Sequence, residues 1–182
     1  MPGDHTKPIA AIIVMGVSGS GKSTISESLA RKLGFASEDG DLYHPKTNVE
    51  KMHGGIALTD EDRWPWLRTL AALIDRYAAD GRPVVIACSA LKRAYRDVLV
   101  HGRRDVRIVY LKGSPEVIAS RTDHRTGHFM PPSLLASQLE ALEEPTPDEH
   151  AITVGIDAPA DTIANDIIRQ LHLPASAGTQ PT

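Results

Sequence analysis

Residues 16–23 read GVSGSGKS, which meets G-x-x-x-x-G-K-[ST] at every position. That spacing lets glycine-flanked backbone N–H groups turn inward on phosphate oxygens, and a helix opening at the lysine adds its positive end. Lys22 is placed to reach the outer phosphates of a nucleotide, and the Ser23 hydroxyl to ligate Mg²⁺. The nucleotide-binding set is therefore Gly16, Val17, Ser18, Gly19, Ser20, Gly21, Lys22, Ser23 and Thr24. Downstream, residues 39–48 read DGDLYHPKTN, with Asp39 and Asp41 on either side of Gly40. On an extended chain, side chains two apart share a face. An alcohol attacking a terminal phosphoryl group must be aligned and must lose its proton, and phosphate charge must be neutralised. Two neighbouring carboxylates suit those jobs, with Asp41 as the acceptor-side base and Asp39 as the metal-side group. The order of roles within the pair stays open.

A P-loop does not name the acceptor. A GTPase would carry D-x-x-G and N-K-x-D, and neither occurs. The strand VVIACS ends in Cys88-Ser89 where an acidic residue often closes the second motif of such ATPases. Moving the acidic groups to DGD points to a kinase of small metabolites. Residues 120–132, SRTDHRTGHFMPP, cluster Arg121, His124, Arg125 and His128 before Pro131-Pro132. Basic residues between Gly and Pro hinges read as a mobile lid over about 120–133 that excludes water on closing. An exposed basic helix end is the alternative reading.

The elements that must position these groups are legible as alternating runs. IAAIIVM (9–15), PVVIACS (83–89), VRIVYLK (106–112) and ITVGID (152–157) are nearly continuous apolar stretches, as in strands covered on both faces. A weaker strand is expected around FASEDGD. Between them, Ile25, Leu29 and Leu33 recur at helical spacing before Gly34, and Leu67, Leu70, Ala71, Ile74 and Ala78 before Gly81. Thr59 as cap or Pro65 at the first position are both possible starts for the second helix. Ser114-Pro115-Glu116 reads as a third helix start, and Ile163, Ala164, Ile167, Ile168 and Leu171 as a last apolar stripe. Alternation of this kind gives an α/β fold of three layers, a parallel sheet of about five strands with helices on both faces.

Bulk properties narrow the class. A chain of 182 residues makes one domain, taken as residues 1–174, with the small polar end PASAGTQPT read as a disordered tail over 175–182. A net charge of −3 carries no footprint for nucleic acid, so an anion must be met by a local cluster. The apolar start, Ile9 to Met15, is too short to span a bilayer and runs straight into the glycine-rich loop. The single cysteine, Cys88, excludes an internal disulfide and suits a cytoplasmic location.

Taken together, GVSGSGKS, DGDLYHPKTNVEKM, LTDEDRWPWL, CSALKRAYRD, YLKG, GHFMPPSLLASQLEALEEP and a final ID-x-P resemble bacterial-type gluconokinase. That family of P-loop kinases is similar in fold to shikimate and adenylate kinases. The resemblance covers about residues 9–170 and implies ATP and Mg²⁺, with D-gluconate phosphorylated to 6-phospho-D-gluconate. It implies a small-molecule partner, no nucleic acid or membrane, and leaves a homodimer open. The carboxylate of gluconate needs cations, ideally an Arg fork, for which Arg63, Lys92, Arg93 and Arg96 are candidates. Arg63 pairing only with Asp60 or Asp62, and the other three forming a solvated helix face, are the plainer readings. Hydroxyl partners would come from His44, Ser89, His128 and Gln138. The resemblance further implies Arg121 against the nucleotide and Arg125 at the transferring phosphoryl group. A kinase of shikimate or another sugar acid, and a non-catalytic ATP-binding protein, remain the alternatives.

Overall fold

The computed structural model describes residues 8–123 and 132–174. Five strands form one parallel sheet: β1 (Ala11–Met15), β2 (Ala36–Asp39), β3 (Val84–Ala87), β4 (Val106–Lys112) and β5 (Ile152–Gly155). Their order is β2-β3-β1-β4-β5, so β1 lies between β3 and β4, with Ile13 opposite Ile86 on one side and Ile108 on the other. Because all five run the same way, their C-terminal ends share one edge. Ligands bind at that edge where the strand order reverses, beside β1.

The apolar run of β1 is explained by its two covered faces. Ala11, Ile13 and Met15 pack with Trp66, Leu67, Leu70 and Ile74 on one side. Ile12 and Val14 pack with Ile25, Leu29, Ile163 and Ile167 on the other. The first side is covered by α3 (Asp60–Ala79) and α4 (Arg93–Val100), and the second by α1 (Lys22–Leu33) and α7 (Ala160–Gln170). Three further helices, α2 (Lys46–His53), α5 (Pro115–Asp123) and α6 (Pro132–Ala141), lie in the connections. Of these, only α5 is anticipated by a start signal: the Ser114 hydroxyl accepts from the Val117 amide as its cap. No described helix is long and apolar enough to cross a membrane.

The two possible starts of the second long helix are resolved by hydrogen bonding. The Thr59 hydroxyl accepts from the Asp62 amide and the Asp62 carboxylate from the Thr59 amide, a reciprocal capping box. Pro65 then lies inside α3, within its second turn, and the helix continues to Ala79. The apolar face of α3 also differs from the expected stripe: Trp66 and Leu73 are buried with Leu67, Leu70 and Ile74, and Ala71 and Ala78 are only half-buried.

The carboxylate pair is not carried on an extended strand. Asp39 ends β2, and Gly40–Tyr43 turn as a 3₁₀ helix whose first amide, that of Asp41, donates to Asp39 Oδ1 at 3.0 Å. The turn sets the Asp41 backbone amide on the Asp39 carboxylate, in place of a shared strand face. Gly40 is required there because an added Cβ would stand 2.6 Å from the Ala87 carbonyl oxygen and 3.4 Å from Cys88 Cβ. Gly40→Ala must therefore lift the turn off β3. A destabilisation of about 1–3 kcal/mol in urea unfolding is expected, with a larger fractional loss of catalytic rate because Asp41 moves. Unchanged stability and rate would show that the contact is not constraining.

Candidate active site

The P-loop follows β1 directly. Gly21 caps α1 with φ +92°, a left-handed backbone that side chains resist, and the loop ahead of it closes on itself. The Ser20 hydroxyl donates to the Val17 carbonyl at 2.7 Å, and Lys22 Nζ donates to the same carbonyl at 3.0 Å. Two long-range bonds fasten the loop to the frame: the Gly16 amide donates to Ser89 O at 3.3 Å, and the Ser18 amide to Gln138 Oε1 at 2.7 Å. Ser23 and Thr24 are exposed at the start of α1.

Beside this loop lies a cavity of about 440 Å³ lined by Gly19, Gly21, Thr24, Arg121, Pro159 and Ile163, among others. Arg121 hangs between the two walls. One terminal nitrogen donates to Ile156 O, and the other would lie 3.6 Å from a Cβ placed on Gly21. Inward-turned backbone, a cation and apolar walls fit a nucleotide: phosphates on the loop, a flat base against Pro159 and Ile163.

The acceptor side is built on the other flank of β1. Trp66, buried in α3, donates from Nε1 to Gly40 O at 2.7 Å and stacks on His44 with ring centroids 4.0 Å apart. Trp66 thus holds the DGD turn from beneath. Burial, and then the nearby Arg63 charge, hold His44 down at about 4 against an ordinary 6.5, so its imidazole is neutral at physiological pH. Cys88 follows β3 directly and is buried. Burial pushes its thiol up to about 12; the Asp41 and Asp39 carboxylates push the same way, and Lys22 opposes them.

Arg63 pairs with neither of its acidic neighbours. Asp62 takes Lys51, both carboxylate oxygens at 2.9 Å, and Asp60 takes Lys92 at 3.1 Å and the Tyr95 hydroxyl. Arg63 lies over the Tyr95 ring, 5.4 Å from its centroid, and donates from Nη1 to Leu58 O at 2.7 Å and to the Tyr95 hydroxyl at 3.1 Å. Its bonds within the described protein use that one nitrogen, leaving Nε and Nη2 for a ligand. Lys92 Nζ also lies over the Tyr95 ring, 5.7 Å from its centroid. Its bond to Asp60 raises its own affinity for the proton, while the Tyr95 hydroxyl and then Lys92 hold Asp60 below the usual carboxylate range.

Three expected substrate contacts have other employment. Arg96 is not a surface cation but 1% exposed, with Glu149 accepting from Nε at 2.6 Å and from Nη2 at 3.2 Å. Its Nη1 donates to Ala90 O and Leu91 O at 2.9 and 3.1 Å, so it braces the loop after β3 and cannot offer a fork to a substrate carboxylate. Gln138 spends its carbonyl oxygen on the P-loop. Arg93 is tied into Asp97 and Asp148, the solvated-face reading. Ser89 is half-buried at the end of β3, its carbonyl held by Gly16. Arg125 and His128, with most of the expected lid, lie outside the described residues.

Sequence reasoning missed Asn48, Trp66 and Tyr95. Asn48 sits on α2 and is 2% exposed, with Nδ2 2.9 Å from Asp62 O and 3.2 Å from His44 Nδ1. The partners of each lie in other elements, and no local spacing announces them.

The depressed His44 value has a consequence for stability. The unfolded chain binds a proton near pH 6.5 that the folded site refuses until about pH 4, so stability falls as pH drops through that window. Thermal melts from pH 7 to 4.5 are expected to show that decline, and His44→Phe, which keeps a ring on Trp66, to flatten it. An equal slope in both proteins would contradict the burial of His44.

The family model described as an AAA domain matches residues 12–145. The probable gluconokinase of Mus musculus is 44% identical over 177 residues, spanning 88% of this chain and 96% of that protein. The solved structure of a gluconokinase from Sinorhizobium meliloti 1021 superposes with TM-score 0.81 at 44% identity, over 91% of this chain and 94% of that one. A shikimate kinase from Acinetobacter baumannii, at 20% identity and TM-score 0.54 over 92% of this chain and 94% of that one, shares the fold. With the P-loop, the DGD turn and the Arg63–Tyr95 platform arranged on that fold, the chain belongs to the gluconokinase family of P-loop kinases.

Proposed function

We propose that this protein transfers the terminal phosphoryl group of ATP to the 6-hydroxyl of D-gluconate, giving 6-phospho-D-gluconate and ADP. The observation that carries the reading is that the P-loop and the DGD turn both meet the chain at the end of β3: the Gly16 amide donates to Ser89 O, and Gly40 packs on the Ala87 carbonyl and Cys88. A phosphate-binding cation and a proton acceptor there serve one reacting centre. On one side the P-loop amides and Lys22 hold the outer phosphates, and Arg121 with the Pro159–Ile163 wall holds the rest of the nucleotide. On the other, Arg63 offers Nε and Nη2 to the sugar-acid carboxylate, and its stacking on Tyr95 fixes the plane of the fork. Lys92 adds charge at that end. The primary alcohol then lies towards the DGD turn, where Asp41 accepts its proton as the oxygen bonds to phosphorus and the bridging oxygen leaves with ADP.

A divalent cation, when bound, neutralises charge between the phosphates. Mg²⁺ in such a site is held largely by phosphate and water. Ser23, exposed at the start of α1, and Asp39, whose Oδ2 is not used by the Asp41 amide, are the side chains that would hold it.

The test is ADP release with Mg²⁺-ATP and a panel of gluconate, its epimers, shikimate and nucleoside monophosphates. Turnover confined to gluconate is expected; turnover on another acceptor with none on gluconate would overturn the proposal. Within that assay Asp41→Asn is expected to lower kcat by about 10²–10⁴-fold with ATP affinity retained. Loss of ATP affinity would make Asp41 a metal-side group instead. Arg63→Lys is expected to raise the gluconate KM, on the order of tenfold, with the ATP KM unchanged.

A further inference from the structure

We infer that Asn48 is a positioning residue: it fixes the His44 ring as the Nε2–H tautomer, which then donates a hydrogen bond to a hydroxyl of the bound sugar acid. The inference rests on the acceptor proposed above, but its structural half stands without it.

Asp62 O belongs to the first turn of α3 and is held there by the Thr59–Asp62 capping box. A carbonyl only accepts, so the Asn48 atom 2.9 Å from it must be the amide nitrogen, and the side chain has one orientation. That same NH₂ group lies 3.2 Å from His44 Nδ1. An amide nitrogen has no lone pair to offer, so Nδ1 must accept and the ring proton must sit on Nε2. Asn48 is 2% exposed, which denies water the chance to replace either bond. Lys51, on the same helix, grips the Asp62 carboxylate and keeps α2 in register with α3.

The ring so fixed stands in the acceptor site. One face lies on Trp66, 4.0 Å between centroids, and its own backbone amide donates to Asp41 O at 3.4 Å. Arg63 is near enough to oppose its protonation. Nε2 makes no bond to the described protein. A hydrogen-bond donor thus stands beside the DGD turn that carries the proposed base, on the Arg63 side of the fold, for the middle hydroxyls of an open-chain sugar acid. A site built to donate to a hydroxyl discriminates against an analogue that lacks it, because the donor is then left unpaired.

Two readouts separate this role from mere packing. Long-range ¹H–¹⁵N correlation spectra of the wild-type imidazoles, without substrate, should show His44 protonated at Nε2 and bare at Nδ1. Asn48→Asp places an acceptor beside Nδ1 and should move the proton there. In kinetics, Asn48→Asp and His44→Phe should each raise the gluconate KM several-fold, about what one hydrogen bond supplies, with the ATP KM unchanged. His44→Gln carries an amide donor near the position of Nε2 and should restore most of that loss, also in the Asn48→Asp background. A wild-type ring protonated at Nδ1 overturns the inference even if Asn48→Asp does not fold. So does a gluconate KM that His44→Phe leaves unmoved. Wild-type protein with no turnover on gluconate would instead overturn the acceptor reading and leave the tautomer result standing.

Discussion

The site depends on one close approach: the turn after β2 rests on the end of β3 with no room for a side chain at Gly40. Trp66 completes the contact from below, exchanging a buried indole N–H for the Gly40 carbonyl at 2.7 Å. This is an economical arrangement, because the same tryptophan closes the core between α3 and the sheet and also carries His44 on its ring. Packing and chemistry are coupled through it. The DGD acids are held at the β3 end by a bond that the core itself enforces, and their distance from the P-loop lysine follows from the register of β3 on β1.

Charge is distributed so that each face of the site keeps cations for ligands. Acidic side chains that might neutralise Arg63 are already engaged: Asp60 by Lys92 and Tyr95, Asp62 by Lys51 and the Thr59 amide. Arg96, the one buried arginine among the described residues, is matched by Glu149 in a two-point pair and donates from Nη1 to the Ala90 and Leu91 carbonyls. Ala90 holds φ +45° there, an uncommon backbone for a residue with a Cβ. An uncompensated buried charge costs several kcal/mol, so this pair is read as bracing for the loop that carries Ser89 and Lys92 to the site.

The fold was legible because its signals are local. Uninterrupted apolar runs are what doubly covered strands require, and four of the five strands were marked that way, β4 over its whole length and the other three trimmed by a residue or two at the ends. Thr59 and Asp62 lie three apart, so the cap of α3 could be weighed from sequence, though Pro65 competed with it. The P-loop is likewise a contiguous code. The site's remainder was illegible where meaning depends on a partner far along the chain. Arg96 and Glu149 are 53 residues apart, and nothing near Arg96 distinguishes a buried brace from a surface cation. Ser18 and Gln138 are 120 apart, and Asn48 meets Asp62 across 14 residues and a change of helix. Asp39 and Asp41 were expected on one strand face, and a 3₁₀ turn that begins at Gly40 stands there instead.

The proposed binding mode lays the sugar acid across the site in one direction, its carboxylate on Arg63 and its primary alcohol at the DGD turn. A crystal structure with D-gluconate and a non-hydrolysable ATP analogue tests that directly. The account predicts a carboxylate within hydrogen-bonding distance of Arg63 Nε and Nη2, and the terminal hydroxyl on Asp41 facing the outer phosphate beside Lys22. Gluconate lying the other way, or with its carboxylate on a different cation and Arg63 untouched, would contradict it.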